Sequence, residues 1–160
     1  MNLFKKINID LSDLVLKDFN SGVCLHNPNG LGLSYFKLKN KQLLIDRLPE
    51  ELPTPFDIFY CIMTGPGKLF PHIDTHTTTA INYYIEGASG VTTFYKLKEN
   101  ASTTDIKNSF SENDVIEVDR FIANDGECYL LNVKEIHNVE LPSASPRHFI
   151  NFAFKDVLWI

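Results

Sequence analysis

The chain has 160 residues, of which 44% are hydrophobic and 22% are charged. This length and balance are typical of one soluble globular domain with a sizeable core and argue against a disordered chain. The formal net charge of -5 argues against a protein that binds mainly nucleic acid or anionic membranes, because such proteins carry excess positive charge. No apolar segment approaches the roughly 20 residues that a membrane-spanning helix needs. We therefore expect a single domain over residues 1–160 and a partner that is neither nucleic acid nor membrane.

The cysteines indicate a reducing environment. Cys24, Cys61 and Cys128 lie far apart without a C-x-x-C pair, and two of them lie within apolar segments. An odd and scattered set of this kind is typical of reduced, buried thiols rather than of a disulfide framework. The first residues, MNLFKKINIDLSD, lack the long apolar segment of a signal peptide. These features together predict a cytoplasmic protein.

Residues 1–55 predict a mixed α/β segment that packs against the rest of the chain. The segment from Asp10 to Phe19 has apolar residues at helical spacing, with Asp10 as its N-cap. After a turn-rich stretch, LSYFKLK alternates as a strand does, and NKQLLIDRL is typical of a short helix ended by prolines. We therefore expect N-terminal helical elements that pack on a β-rich core.

Residues 56–160 predict that mainly β core. Short runs rich in β-branched and aromatic residues are separated by turn-forming residues, which favours a sandwich, jelly roll or barrel. The runs are DIFYCIMT, AINYYIEG, VTTFYKLK, DVIEVDRFIA, CYLLNV, HNVEL and RHFINFAFKDVLWI. The longest polar stretch, from Lys98 to Asp114, predicts a surface loop, with a mobile lid as the alternative.

Three positions in this β-rich part carry residues suited to metal and anion chemistry. His72 and Asp74 form an H-x-D pair, and residues i and i+2 of a strand face the same side. His137 follows 63 residues after Asp74, and Arg147 follows ten residues after His137. Two imidazoles and a carboxylate leave positions open on a metal, as in non-haem Fe(II) oxygenases. A guanidinium nearby is suited to bidentate binding of a carboxylate.

The order of H-x-D, distal His and Arg resembles that of the Fe(II)/2-oxoglutarate-dependent oxygenase superfamily, and most of all its prolyl-hydroxylase-like members. AINYYIEGASGVTTFY resembles the family's strand pair with Y-L-N and G-G-E-T-x-F, and NDGECYLLNVKEIHNVEL resembles its turn, buried strand and distal His. The resemblance covers about residues 57–156. It implies a double-stranded β-helix, or jelly roll, with His72, Asp74 and His137 as ligands of Fe(II) at the open end of the barrel.

The resemblance also implies that 2-oxoglutarate and O₂ bind at the metal. Arg147 is expected to pair with the far carboxylate of 2-oxoglutarate, and Tyr84 and Asn82 alternate on a strand whose one face looks toward this co-substrate. Many members carry Ser or Thr where this chain has Phe149, so a hydroxyl of Tyr84 or Thr92 is expected to replace it. The family's acidic residue in G-G-E-T is replaced by Val91.

The implied reaction converts 2-oxoglutarate and O₂ to succinate and CO₂ while a C–H bond of the substrate is hydroxylated, with ascorbate as an optional reductant. The substrate is open between a small molecule and a peptide or amino-acid side chain, and the oligomeric state is not predicted.

Two other interpretations stay open. A cupin-like metal protein, such as an isomerase, a dioxygenase or a binding module, does not use 2-oxoglutarate, but cupins more usually show His-x-His with a Glu and a later His. A barrel kept only for protein interaction is disfavoured because all three ligands and the Arg are present. His76 shares the face of His72 and Asp74 if the strand continues, so it is expected in the pocket or on the surface, with a ligand role as the alternative.

Overall fold

The part of the chain that the structure describes is mainly β and contains almost no helix. The computed structural model describes residues 2–14, 31–38, 40–87, 89–101 and 108–158. The strands are β1 Phe4–Ile7, β2 Gly32–Lys37, β3 Asp57–Thr64, β4 Gly67–Lys68, β5 Thr79–Glu86, β6 Val91–Leu97, β7 Val115–Ile122, β8 Cys128–Asn132, β9 Ile136–Leu141 and β10 Arg147–Phe154. A single turn of α-helix, α1 Gln42–Ile45, and a 3₁₀ turn, Glu112–Asp114, complete the described elements.

The strands form two antiparallel sheets. The larger sheet has the order β1-β8-β5-β10-β3-β2, and the smaller sheet has the order β4-β9-β6-β7. Each of the seven β-rich runs recognised in residues 56–160 coincides with one of these strands to within one residue at its start, which confirms the mainly β prediction. The runs were recognisable because β-branched and aromatic residues fit a pleated surface and turn-forming residues bound each run.

Two apolar clusters hold the sheets. Side chains from both sheets form the first cluster, in which Tyr84 and Tyr129 of the larger sheet pack with Phe94 and Phe121 of the smaller one. The alternate residues of the same strands, such as Ile81 of β5, lie on the opposite face of the larger sheet in a second cluster. Because successive side chains of a strand point to opposite faces, the larger sheet is buried on both sides.

The N-terminal part differs from the sequence prediction. No helix begins at Asp10: its carboxylate accepts the Ser12 N–H at 2.9 Å, and residues 12–14 form a turn and bend. Ile9 and Leu11 instead bury their side chains in the second cluster, across the larger sheet. The described part of the predicted helix, residues 10–14, is therefore not helical, and residues 15–19 fall outside the described residues.

The expectation of N-terminal helical elements is not borne out in the described residues, apart from the single turn α1, which lies within the predicted short helix NKQLLIDRL. The described part of this segment contributes strands β1 and β2 to the larger sheet and the four-residue helix α1 to its outer face. A helix of this length has little stability of its own, so its burial against the sheet stabilises it. Strand β1, with the sequence FKKI, was not recognised because it is short and half charged.

The cysteines and the lengths of the helices bear on two predictions from composition. Cys61 and Cys128 are buried free thiols, as predicted, while Cys24 lies outside the described residues. In the part of the chain that the structure describes, no helix has the length and apolar character required to cross a bilayer.

Substitution of Leu44 tests whether the packing of α1 on the larger sheet stabilises the protein. Its side chain is fully buried in the second cluster, whereas the neighbouring Leu43 is 54% exposed. We expect Leu44→Ala to lower the free energy of unfolding by about 2–5 kcal/mol, because it leaves a cavity. Leu43→Ala, the matched control, is expected to change it by less than about 0.5 kcal/mol. Urea unfolding measures both, and equal effects of the two substitutions would contradict the packing described for α1.

Candidate metal centre

Three residues predicted as metal ligands come together at one point. The ligand atoms of His72, Asp74 and His137 all lie within 4.8 Å of one another. Asp74 Oδ1 is 3.7 Å from His72 Nε2 and 4.0 Å from His137 Nε2. Two imidazoles and one carboxylate at such separations can converge on a single ion with a modest movement of the side chains.

Backbone hydrogen bonds bring the two histidines together. The His72 N–H donates to the His137 carbonyl and the His137 N–H donates to the His72 carbonyl, both at 2.9 Å. Residues that exchange both hydrogen bonds in an antiparallel pair lie directly opposite each other with their side chains on the same face. The two imidazole rings accordingly lie 4.5 Å apart between centroids.

A bulge places His72 in this pair. Leu69 pairs with Val139 and His72 pairs with His137, so Phe70 and Pro71 together lie opposite the single residue Asn138. An extra residue of this kind is a β-bulge, which shifts the alternation of side chains. Both Leu69 and His72 therefore face the interior. Residues 72–76 do not form a continuous strand, since among them only His72 makes β-bridges, so the condition that would put His76 on the face of His72 and Asp74 is not met.

Each histidine is held by its Nδ1 atom. His72 Nδ1 is 2.9 Å from the Phe70 carbonyl oxygen, and His137 Nδ1 is 2.9 Å from the Glu135 carbonyl oxygen. A carbonyl only accepts hydrogen bonds, so Nδ1 is the donor in both contacts, and Nε2 is the nitrogen that a neutral ring offers to a metal. A ring nitrogen anchored in this way and a second nitrogen free to coordinate are the usual arrangement of histidine ligands.

Burial favours the neutral form of one imidazole. His137 is 7% exposed, and this burial, followed by the nearby His72, lowers the pKa of its imidazole. A metal binds the neutral imidazole, so the environment of His137 already favours the ligand form.

The turn between β8 and β9 fixes Asp74 as well as His137. The Asp74 N–H donates to the Val133 carbonyl at 2.9 Å, and Lys134 Nζ donates to the carbonyls of Asp74 and Thr75 at 2.7 and 2.9 Å. The next residue, Glu135, supplies the carbonyl that holds the His137 ring. Three consecutive residues therefore position two of the three candidate ligands.

His76 does not belong to this group. Its side chain is exposed, and the cluster of ligand atoms is formed by His72, Asp74 and His137. Residues 75 and 76 form bends in the backbone. The His76 side chain therefore does not lie on the face that His72 and Asp74 share. The prediction that His76 lies on the surface fits this position, and the ligand role left open for it does not.

The candidate ligands open into a cavity of about 90 Å³ between the sheets. This is room for several water molecules or one small ligand, because a buried water occupies roughly 10–15 Å³ on the same measure. Every residue predicted to bind the metal or the co-substrate lines the cavity: His72, Asp74, Asn82, Tyr84, Thr92, His137 and Arg147. Most of the remaining wall is apolar, including Leu33, Met63, Leu69, Leu131, Val139 and Phe149.

Arg147 is a buried cation, and two of its nitrogen atoms lack hydrogen-bond partners among the described residues. Its side chain is 1% exposed, and its Nε and Nη2 atoms have no hydrogen-bond partner among the described residues. Its guanidinium carbon lies 4.1 Å from the centre of the Tyr84 ring, a cation–π contact. Such a contact does not replace the missing hydrogen bonds, and a buried charge without partners is costly. An anion bound in the cavity would supply the partners.

Other polar residues line the same cavity as Arg147. Thr92 Oγ1 is buried and has no partner among the described residues. Asn82 Oδ1 accepts a hydrogen bond from Asn151 Nδ2 at 2.8 Å, so the Asn82 amide nitrogen remains for a ligand. Tyr84 contacts Arg147 through the face of its ring. The sequence predicted a contact through its hydroxyl and not this ring contact.

Sequence reasoning missed two polar residues of the cavity, Tyr35 and Asn151. Tyr35 comes from β2, outside the region of resemblance, and burial raises the pKa of its phenol, with Cys61 and Asp74 as smaller contributors. Alternation in LSYFKLK puts Tyr35 on the face of Leu33, and alternation in RHFINFAF puts Asn151 on the face of Arg147. That signal was present, but which face of each strand lines a cavity follows only from the pairing of strands.

Comparisons with known proteins leave the family unassigned. No protein-family model matches the chain, and no curated protein matches it either. Among solved structures, the plu4264 protein of Photorhabdus luminescens matches with 17% identity and a TM-score of 0.40 over 79% of this chain and 77% of that one.

Two further structures give similar values. Peruvianin-I, a cysteine peptidase from Thevetia peruviana latex, matches with 13% identity and a TM-score of 0.41 over 91% of this chain and 79% of that one. The Cellulomonas parahominis L-ribose isomerase with L-psicose matches with 12% identity and a TM-score of 0.35 over 76% of this chain and 59% of that one. Similarity at this level assigns neither a family nor an activity.

The two histidines of the HIDTH segment form a matched pair for testing the metal site. We expect His72→Ala to weaken Co(II) binding roughly a hundredfold or more, since even the loss of a supporting residue costs 10–100-fold. His76→Ala is expected to change it by less than about threefold, because this side chain is exposed and outside the cluster. Titration of the metal-free protein, followed by the absorption of bound Co(II), measures both constants. Wild-type affinity in His72→Ala would exclude this cluster as the site.

Proposed function

We propose that the protein is an Fe(II)- and 2-oxoglutarate-dependent oxygenase that hydroxylates its substrate. One observation carries the proposal: a group of two histidines and one aspartate shares a small cavity with Arg147, a buried cation whose Nε and Nη2 atoms lack hydrogen-bond partners among the described residues. The first feature is suited to a divalent metal and the second to a carboxylate. A ligand that chelates a metal at one end and carries a carboxylate at the other satisfies both.

The donor set fits Fe(II). His72, His137 and Asp74 supply two nitrogen atoms and one carboxylate, which is the donor set of non-haem Fe(II) oxygenases. The carbonyls of Phe70 and Glu135 orient the two rings, so that Nε2 of each is the coordinating atom. Three protein ligands leave the other positions for the co-substrate and O₂.

The remaining polar groups fit the far carboxylate of 2-oxoglutarate. Arg147 offers Nε and Nη2, and Thr92 offers a buried hydroxyl without a partner among the described residues. Thr92 can supply the hydroxyl that Phe149 removes relative to the family pattern. Both residues line the same cavity as the metal ligands.

The strand order supports a double-stranded β-helix, or jelly roll, as the architecture of this enzyme. From β3 to β10 the chain crosses between the two sheets at every connection except the one from β6 to β7. Strands β3 to β10 thus divide into the layers β8-β5-β10-β3 and β4-β9-β6-β7, and two layers of four strands are what an eight-stranded jelly roll requires.

The chain's own residues would bind, orient and exclude water. With Fe(II) bound, O₂ would be the oxidant and 2-oxoglutarate the co-reductant, which is converted to succinate and CO₂ as a C–H bond of the substrate is hydroxylated. Arg147 and the three ligands would hold the co-substrate at both ends, which fixes its orientation. The apolar wall of the cavity keeps water away from the reacting groups. The substrate, a small molecule or a peptide or amino-acid side chain, would approach the metal from the side of the partly exposed Asp74 and His72.

A cupin-like metal protein without 2-oxoglutarate is the alternative. It accounts for the histidines and the aspartate, but it gives no function to the buried Arg147, whose Nε and Nη2 atoms have no partner among the described residues.

Succinate release tests the proposal without a known substrate. With Fe(II), 2-oxoglutarate, ascorbate and O₂, we expect slow succinate formation that stops when either Fe(II) or 2-oxoglutarate is omitted. Asp74→Ala is expected to abolish it, because a carboxylate ligand is lost. Asp119→Ala is the control, since Asp119 is an exposed carboxylate on β7. If Asp74→Ala formed succinate at the wild-type rate, the assignment of the site would be refuted. A metal-dependent activity that does not require 2-oxoglutarate would favour the cupin alternative.

Arg147 separates co-substrate binding from metal binding. We expect Arg147→Met to raise the KM for 2-oxoglutarate roughly a hundredfold, because truncating one partner of a buried charge pair costs several kcal/mol. Co(II) affinity should change little, since Arg147 is not a metal ligand. The exposed Arg120, which pairs with Glu117 at 3.4 Å, gives the control Arg120→Met. An unchanged KM in Arg147→Met would show that the co-substrate binds elsewhere.

A further inference from the structure

Gly90 lies against the guanidinium of Arg147. It is a buried residue directly before β6. A Cβ atom built on Gly90 would lie 3.0 Å from Arg147 Nη1, 2.6 Å from Leu141 Cδ2 and 3.3 Å from the Glu140 carbonyl oxygen. Any side chain at this position therefore displaces Leu141 or Arg147.

The reason for this glycine is space rather than backbone conformation. The glycines with positive φ among the described residues are Gly87 and Gly126, so the backbone of Gly90 is one that other residues adopt. Gly126 is the opposite case: its φ is +83°, and a Cβ there would meet nothing within 4 Å. The chain therefore offers one glycine that matters for packing and another that matters for conformation.

The guanidinium is also confined by Tyr84. The Tyr84 ring lies 4.1 Å from its central carbon, and Gly90 limits its Nη1 side. An arginine side chain has several rotatable bonds, so contacts such as these are needed to hold its head in one place. Nε and Nη2 are the atoms left without partners among the described residues.

We propose that Gly90 is a positioning residue of the anion site, which acts by letting the backbone before β6 pack directly on Arg147. This inference rests on the proposed function in one respect, the binding of a carboxylate by Arg147. A methyl group at residue 90 would shift the guanidinium by a few tenths of an ångström or more, and hydrogen bonds to a carboxylate are sensitive to such shifts.

The test measures two affinities in one protein. With Co(II) bound, we expect Gly90→Ala to weaken 2-oxoglutarate binding about tenfold or more, since misplacement of binding groups by about 1 Å costs as much as a hundredfold in catalysis. The affinity for Co(II) itself should change less than about threefold. Ser89→Ala, a substitution at the exposed residue just before Gly90, should leave both affinities near those of the wild type. Calorimetric titration measures all of these constants.

A second variant covers the case in which Gly90→Ala fails to fold. Gly90→Ala/Leu141→Val removes the apolar overlap at Leu141 Cδ2 and keeps the contact with Arg147. We expect it to fold, to bind Co(II) and to bind 2-oxoglutarate as weakly as the single variant. Wild-type affinity for 2-oxoglutarate in either folded variant would overturn the inference.

A double-mutant cycle shows whether Gly90 acts through Arg147. In an Arg147→Lys background the added methyl group no longer meets Nη1, so Gly90→Ala should weaken 2-oxoglutarate binding less than about threefold further. The same tenfold loss in that background would overturn the inference while leaving the proposed function intact. Failure of the wild type to bind 2-oxoglutarate in the presence of Co(II) would instead refute the proposed function.

Discussion

The backbone pair between His72 and His137 is the constraint on which the candidate site depends. Each residue donates to and accepts from the other at 2.9 Å, which joins two distant segments of the chain and puts both imidazoles on the inner face. The same region supplies the carbonyls that hold the rings, from Phe70 and Glu135. A metal would therefore meet ligands that are already oriented, and little ordering would remain to oppose its binding.

The second constraint is the burial of Arg147. A guanidinium at 1% exposure with two nitrogen atoms unpartnered among the described residues destabilises the protein unless something compensates. Natural sequences break the rules of packing mainly at functional sites. The cation lies on the same small cavity as the metal ligands, so one ligand that is an anion and a chelator explains both features together.

Much of this arrangement could be predicted from the sequence. The strands of residues 56–160 were recognisable from their composition, and His72, Asp74, His137 and Arg147 from their spacing. Local patterns failed at the N-terminus, where apolar residues at helical spacing follow Asp10 but residues 12–14 form a turn and bend.

The local geometry of the ligands also lay beyond the sequence. The expectation that His72 and Asp74 share one face of a regular strand was wrong, because the bulge at Phe70 and Pro71 and the hydrogen bond from Asp74 to Val133 set their directions. Tyr35 and Asn151 were missed for a related reason: β2 and β10 each pair with β3, and no local signal reports which face then lines a cavity. Long-range pairing of the chain therefore sets both the directions of His72 and Asp74 and the faces of β2 and β10 that line the cavity.

The central claim is that the metal and the guanidinium bind the two ends of one ligand. Anaerobic calorimetric titration of 2-oxoglutarate into Fe(II)-loaded and metal-free protein tests it most directly. The account predicts that Fe(II) strengthens 2-oxoglutarate binding roughly 5- to 150-fold, the usual range for two coupled sites. Equal affinity with and without Fe(II), or no binding in either state, would contradict it.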